Sequence, residues 1–343
     1  MSRIPIDRIV GASVIEIMRA AGGRIDSSKL GKGTPLIETT IVPDVFYMPS
    51  ALAPGQSVQL VGGHQMPLEA VFDDFTPRFV RQELLKQGLT ELPEAEETID
   101  GPVCILGNVF SRNFCHWHEE MMKVIILERL EYDCRYVIAE LPAFARDLLG
   151  LIDIAPERIL EVRRPTRFRS ALFATPINYH NVADYPEVLL SLREHLLAAD
   201  RGHKADIGPR LWLDRGQQTR MGRKLINEEE VCRVLSRYDF ARVDLGSLPV
   251  VKQISIARNA RVISGLHGAH FVHSQLLDFR SWVIECFSPL YLNPTYTNIC
   301  RVLRHSYAQV TNRNTPLFPY PHGTDVLVDC QQLDLAMRAA TEI

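Results

Sequence analysis

The stretch ISGLHGAHFVHSQLL, residues 263 to 277, sets His267, His270 and His273 three apart behind an apolar run. Imidazoles so spaced can ligate a metal, stand beside a phosphate-binding turn, or fill a core. On a helix, steps of three place the rings about 60° apart, but Gly265 and Gly268 put His267 in the turn before a helix starts. The segment offers no carboxylate or thiolate to complete a three-histidine zinc site. The turn SGLHGA has what an anion site needs: glycines that let the N–H groups of a helix start come close to a phosphate. Packing alone also explains a G-x-x-G turn.

Two further groups carry chemistry. DRGQQTRMGRK, residues 214 to 224, supplies Arg215, Arg220, Arg223 and Lys224. Guanidinium forks match phosphate oxygens and stay charged, although a solvated loop is the plainer reading of such a run. NFCHWHEEMMK, residues 113 to 123, contains His118-Glu119, but Met122 stands where the H-E-x-x-H zinc motif needs its second histidine. His116 and Glu120 are four apart on a predicted helix and can share a face, a pairing suited to a general base. A helix end with Trp117, Met121 and Val124 turned inward accounts for the same residues. The chain has no D-x-D, no Walker A loop and no G-x-G-x-x-G, so neither a motif-held divalent metal nor a dinucleotide is expected.

The elements that must position these residues read as alternating strands and helices. TTIVPDVF and SVQLVGG are strands on either side of the turn APGQ, and GPVCILGN is a buried strand ahead of the helix FCHWHEEMMKVIILERLEY. RYVIAEL, a helix after Pro142, RILEVRR and SALFATPI continue the alternation, which suggests a parallel sheet. The polar segment AADRGHKADIGP, residues 198 to 209, reads as a linker. Beyond it come the strand RLWLDR, a helix NEEEVCRVLSRY capped by Asn227, the strand FARVDL and the helix PVVKQISIARNA. RVISGL, the helix GAHFVHSQLLDF, SWVIECF, a helix around YTNICRVLRH and SYAQV complete a doubly wound domain. Ligands of such sheets bind beyond the carboxyl ends of the strands, which gathers Arg215 to Arg223, Leu266 to Ala269 and the residues after Glu285 on one rim.

Composition bounds the function. The 343 residues, 46% hydrophobic and 23% charged, belong to a globular protein with space for two domains. A net charge of −3 gives no bulk attraction to nucleic acid or anionic membranes. The seven cysteines are scattered without a C-x-x-C pair, as in a reducing compartment. Arg8, Glu16 and Arg19 interrupt the first apolar run, whose apolar residues at 6, 9, 10, 14, 17 and 18 suit an amphipathic helix ending at Gly22-Gly23 rather than a membrane span. The expectation is a cytoplasmic protein without an integral membrane segment, soluble or peripheral to a membrane.

In order, these pieces resemble glycosyltransferase family 61. The resemblance rests on Asn113-Phe114-Cys115-His116-Trp117 with Glu120, Arg215, Arg223 with Asn227-Glu228, Gln253, His267-Gly268-Ala269 and Glu285, and covers roughly residues 100 to 310. The chain departs from the family pattern at Asp214, where serine is usual, at His270, where a second glycine is common, and at His273, where asparagine is common. The resemblance implies a GT-B fold of two facing Rossmann-like α/β domains, with an acceptor-side domain over residues 1–200 and a nucleotide-sugar domain over 205–310. A tail, 311–343, would pack back on the first domain.

It further implies an inverting, metal-independent hexosyl- or pentosyltransferase of glycan or polysaccharide biosynthesis, with no cofactor beyond its nucleotide-diphosphate sugar, first of all a UDP-sugar. A glycan or other hydroxyl compound would be the acceptor. Arg215, Arg223, His267, Gly268, Ala269 and Glu285 would bind the donor, Glu285 through ribose hydroxyls. His270 and His273 would bear on donor specificity, and Glu120 or His116 would take the acceptor proton. The alternatives are a zinc-dependent hydrolase built on the histidine clusters and a nucleotide-sugar-binding module without turnover.

Overall fold

The computed structural model describes residues 10–11, 24–28, 35–49, 57–61, 64–65, 86, 88, 93–107, 113–175, 177–200, 207–215, 223–289, 291–293, 295–312 and 325–342. The chain divides into two compact units, Met1–Asn178 and Tyr179–Ile343. The division falls ahead of the expected linker at 198–209. Of the expected first helix, only Val10–Gly11 lies within the described residues, and it is a short strand.

The first unit holds nine strands among its described residues: β1 (Val10–Gly11), β2 (Arg24–Ser28), β3 (Ile37–Pro49), β4 (Ser57–Val61), β5 (His64–Gln65), β6 (Glu97–Ile105), β7 (Arg135–Ile138), β8 (Ile159–Glu161) and β9 (Thr166–Ala174). They form one sheet in the order β1-β5-β4-β3-β9-β6-β7-β8, with β2 beside β3. The expected parallel ladder is present from β9 through β6 and β7 to β8. The sheet is nevertheless mixed, because the long β3 runs antiparallel to β9, β4 and β2. Val42, Val45 and Tyr47 from β3 share a core with Val103, Ile105, Val137 and Phe168.

Between β6 and β7 runs helix α1 (Phe114–Arg129), as its periodicity predicts. Asn113 caps it, its Oδ1 accepting from the N–H of Cys115 at 3.0 Å. Near the far end, Arg158 donates two bonds to Glu128, at 2.7 and 2.8 Å, and the hydroxyl of Tyr136 on β7 donates to the same carboxylate. Helix α2 (Ala143–Leu151) follows β7.

The second unit opens with helix α3 (Pro186–Ala198), which packs on α5 (Val250–Asn259) and on a 3-10 helix, Ala269–Leu276. Its five parallel strands are β10 (Arg210–Leu213), β11 (Ala241–Val243), β12 (Val262–Leu266), β13 (Trp282–Phe287) and β14 (Ser306–Thr311), ordered β11-β10-β12-β13-β14. This is a doubly wound, Rossmann-like order, and its switch point lies between β10 and β12. Period-two alternation divides each strand between the two faces. Trp212, Val262, Leu266, Ile284 and Cys286 pack with α4 (Glu228–Arg237) and α7 (Cys330–Thr341). The odd-numbered partners of β12 and β13 turn to the other face, with α5, the 3-10 helix and α6 (Thr295–Leu303).

Leu333, Met337 and Ala340 of α7 join Val231, Val234 and Leu235 of α4 in the second unit's core, because its apolar stripe fits that face. Asn227 does not cap α4. Its amide instead brackets Val328, accepting from the backbone N–H at 2.9 Å and donating to the carbonyl at 2.9 Å, and so ties the C-terminal segment to the start of α4.

Candidate active site

At the switch point, β10 delivers Asp214 and Arg215, and β12 delivers the turn through His267 and Gly268. Arg215 donates to the carbonyl of His267 at 2.6 Å, and Arg223 donates to the same oxygen at 3.1 Å. Two guanidinium groups thus converge on one peptide. Burial lowers the pKa of Arg215 to about 10, and the neighbouring Arg223 adds to the shift. Arg223 is lowered as well, again chiefly by burial. Arg215 has no carboxylate partner among the described residues, and its Nε has no hydrogen bond. Arg223 holds a φ of 64°, a left-handed conformation that costs an L-residue about 1 kcal/mol. Its guanidinium lies 5.0 Å from the ring centre of Tyr291.

The glycines make this approach possible. A Cβ on Gly268 would stand 2.2 Å from Nη1 of Arg215, and one on Gly265 would stand 2.7 Å from the carbonyl oxygen of Leu213. An open cleft of about 560 Å³ lies alongside, lined by Arg215, Arg223, Lys224 and the ends of β10, β11 and β12.

Sheet register places the next pair. Gly265 stands opposite Glu285 in the β12–β13 ladder, so His267 lies diagonal to Glu285 on the same face. His267 Nδ1 is 2.6 Å from Glu285 Oε1, and Tyr307 of β14 donates to Oε2 at 2.8 Å. His267 stacks on Phe287 at 4.7 Å, with Tyr291 and Tyr296 against its other sides. Glu285 is 0% exposed with both oxygens engaged, so it holds His267 in place.

The three histidines separate. His270 Nε2 donates to the carbonyl of Leu266 at 2.9 Å, His273 Nδ1 lies 2.8 Å from that of His270, and His305 Nε2 donates to that of Ser274 at 3.0 Å. Burial pushes the imidazole of His270 well below its ordinary range, and those of His273 and His305 down to about 4. Neutral rings therefore fill carbonyls of residues 266 to 274, in the segment where an α-helix was expected and a tighter 3-10 helix forms. His273 Nε2 also lies 3.0 Å from Gln253 Oε1, which accounts for the buried glutamine of α5. Among the described residues no three His, Cys, Asp or Glu side chains gather as metal ligands would. Asp214, the departure from serine, forms a two-oxygen ion pair with Arg242, whose nearest approach is 2.9 Å.

In the first unit the expected His116–Glu120 pair is not the one that forms. His116 Nδ1 lies 2.6 Å from Glu119, three residues on, while Glu120 pairs with Lys123 at 2.7 Å. Both are i,i+3 pairs on neighbouring rows of α1. The His116 side chain keeps 24% exposure, whereas Glu120 is buried. Arg220 lies outside the described residues. Sequence reasoning missed Glu119, Arg242, Tyr307 and the ring set of Phe287, Tyr291 and Tyr296. Only the last had a signal, the aromatic-rich run FSPLYLNPTY that starts at the final residue of β13.

All seven cysteines are free, and no helix among the described residues is long and apolar enough to cross a membrane. No curated protein matches the chain. The family model described as Glycosyltransferase 61 matches residues 71–284, more than half of the chain and every residue on which the resemblance rests except Glu285. Two arginines that converge on one carbonyl at the switch point, and a carboxylate-held histidine beside them, thus stand in a chain that belongs to glycosyltransferase family 61.

Proposed function

We propose that this chain is an inverting, metal-independent glycosyltransferase that takes a nucleoside-diphosphate sugar, uridine-linked, to a hydroxyl acceptor on a glycan. The observation that carries the reading is the convergence of half-buried Arg215 and Arg223 on the carbonyl of His267 at the sheet's switch point, beside a cleft of about 560 Å³. Half-buried cations aimed at one place favour a polyanion, since partial desolvation strengthens the electrostatic attraction.

In the proposed reaction the acceptor oxygen attacks the anomeric carbon, and the bond from that carbon to the diphosphate breaks. The electron pair leaves with the nucleoside diphosphate, where Arg215 and Arg223 meet the developing charge. His267 is held in place beside them by Glu285. The acceptor's proton passes to His116, whose Nδ1 is occupied by Glu119 and whose ring is the more exposed of the two base candidates. The reading goes with the GT-B fold that the family resemblance implies. Cytoplasmic glycan or polysaccharide assembly is the setting it fits, in keeping with seven free thiols.

Calorimetry with UDP and GDP tests it. Binding to the unaltered protein, weakened by Arg215→Ala and Arg223→Ala, supports the reading. Absence of binding to both nucleotides overturns it.

A further inference from the structure

Three carboxylates line the cleft at the ends of β10, β11 and β12: those of Asp214, Glu228 and Asp244. Arg242 holds two of them, Asp214 at 2.9 Å and Glu228 at 2.6 Å. The carboxylate of Asp244 has no hydrogen-bond or ion-pair partner among the described residues. Its backbone is fixed, because its carbonyl accepts from the Ser247 hydroxyl at 2.8 Å and opens the short 3-10 helix Leu245–Ser247. A half-buried anion of this kind repels a diphosphate held nearby. It becomes useful only if the same ligand also brings hydroxyl donors.

Register supplies the distance. Val243 stands opposite Leu213, and Leu213 stands opposite Gly265, so Asp244 and the turn after β12 are two strand spacings apart, roughly 10 Å. That gap separates a carboxylate from a phosphate cradle by the reach of a ribose 5′-diphosphate. In doubly wound sheets an acid near this position meets ribose hydroxyls.

We infer that Asp244 accepts hydrogen bonds from the vicinal ribose hydroxyls of the bound nucleotide, so that the nucleoside half lies over the end of β11 and the diphosphate lies at Arg215 and Arg223. This inference rests on the nucleotide-sugar reading.

The test compares UDP and GDP, their 2′,3′-dideoxy forms and inorganic pyrophosphate by calorimetry. In the unaltered protein the ribonucleotide that binds should exceed its dideoxy form by about 10- to 100-fold, the usual loss when a hydrogen bond to a charged group is removed. Asp244→Ala should shrink that gap to about threefold or less, and the isosteric Asp244→Asn should narrow it partly. Neither change should weaken pyrophosphate binding, which reads only the arginines and controls for misfolding. A gap that survives in Asp244→Ala, or no gap in the unaltered protein, overturns the ribose contact while leaving the arginine cradle standing. Failure of UDP, GDP and pyrophosphate all to bind overturns both readings.

Discussion

His267 Nδ1 lies 2.6 Å from Glu285 Oε1, and both side chains are buried, the one at the end of β12 and the other on β13. A carboxylate so placed fixes the ring's tautomer and orientation. Glu285→Gln keeps the shape and removes the charge. The turnover number for transfer should fall about 10²-fold or more, with the dissociation constant for UDP changed only a few-fold. An unchanged turnover number would remove His267 from the chemical step.

Arg215 separates stability from binding. Its cation is held in a buried place that already lowers its pKa to about 10. Arg215→Met should cost UDP affinity about 10- to 100-fold, while the melting temperature of the ligand-free protein holds or rises. A fall in melting temperature with intact nucleotide affinity would make the arginine structural instead.

Gly265 and Gly268 should respond differently to alanine. At Gly265 the added carbon meets backbone, the carbonyl oxygen of Leu213 at 2.7 Å, which cannot move alone. Gly265→Ala should therefore destabilise by about 1–3 kcal/mol in denaturant unfolding. At Gly268 it meets the flexible end of Arg215. Gly268→Ala should leave folding nearly intact and reduce UDP binding by displacing that arginine.

Stability should fall on mild acidification. His273 and His305 titrate near 4 in the fold because burial disfavours their charged forms, whereas an unfolded imidazole titrates near 6.5. Between those values the unfolded chain binds more protons, so stability is lost as pH drops from 6.5 toward 4, by up to about 3 kcal/mol per ring. Unfolding curves at pH 7, 6, 5 and 4.5 measure the slope, and His305→Asn should reduce it by one proton's share.

His116 and Glu119 should behave as one unit. If the pair supplies the base, His116→Ala and Glu119→Ala each slow transfer by about 10²-fold or more, and the double variant is little slower than either alone. Glu120→Gln, which alters a pairing with Lys123, should slow it far less. Additive effects of the first two, or a dominant effect of Glu120→Gln, would exchange the roles.

By itself the sequence determined the strand–helix alternation of the second unit, the rim on which Arg215, His267 and Glu285 gather, and the family. These follow from local periodicity, from glycines at a strand-to-helix turn, and from motif order, all of which are read along the chain. Three things depended on the tertiary structure. The direction of β3 against β9 is a matter of long-range pairing, which alternation within a strand does not encode. The partner of His116 changed because positions three and four apart are both neighbours on a helix, and packing selects between them. The histidine spacing of 267, 270 and 273 gave no hint of separate destinies: the sheet register sent His267 to Glu285, while burial kept His270 and His273 neutral and turned them to nearby carbonyls. Spacing states which side chains can meet, and only the fold decides which of them are taken out of water together.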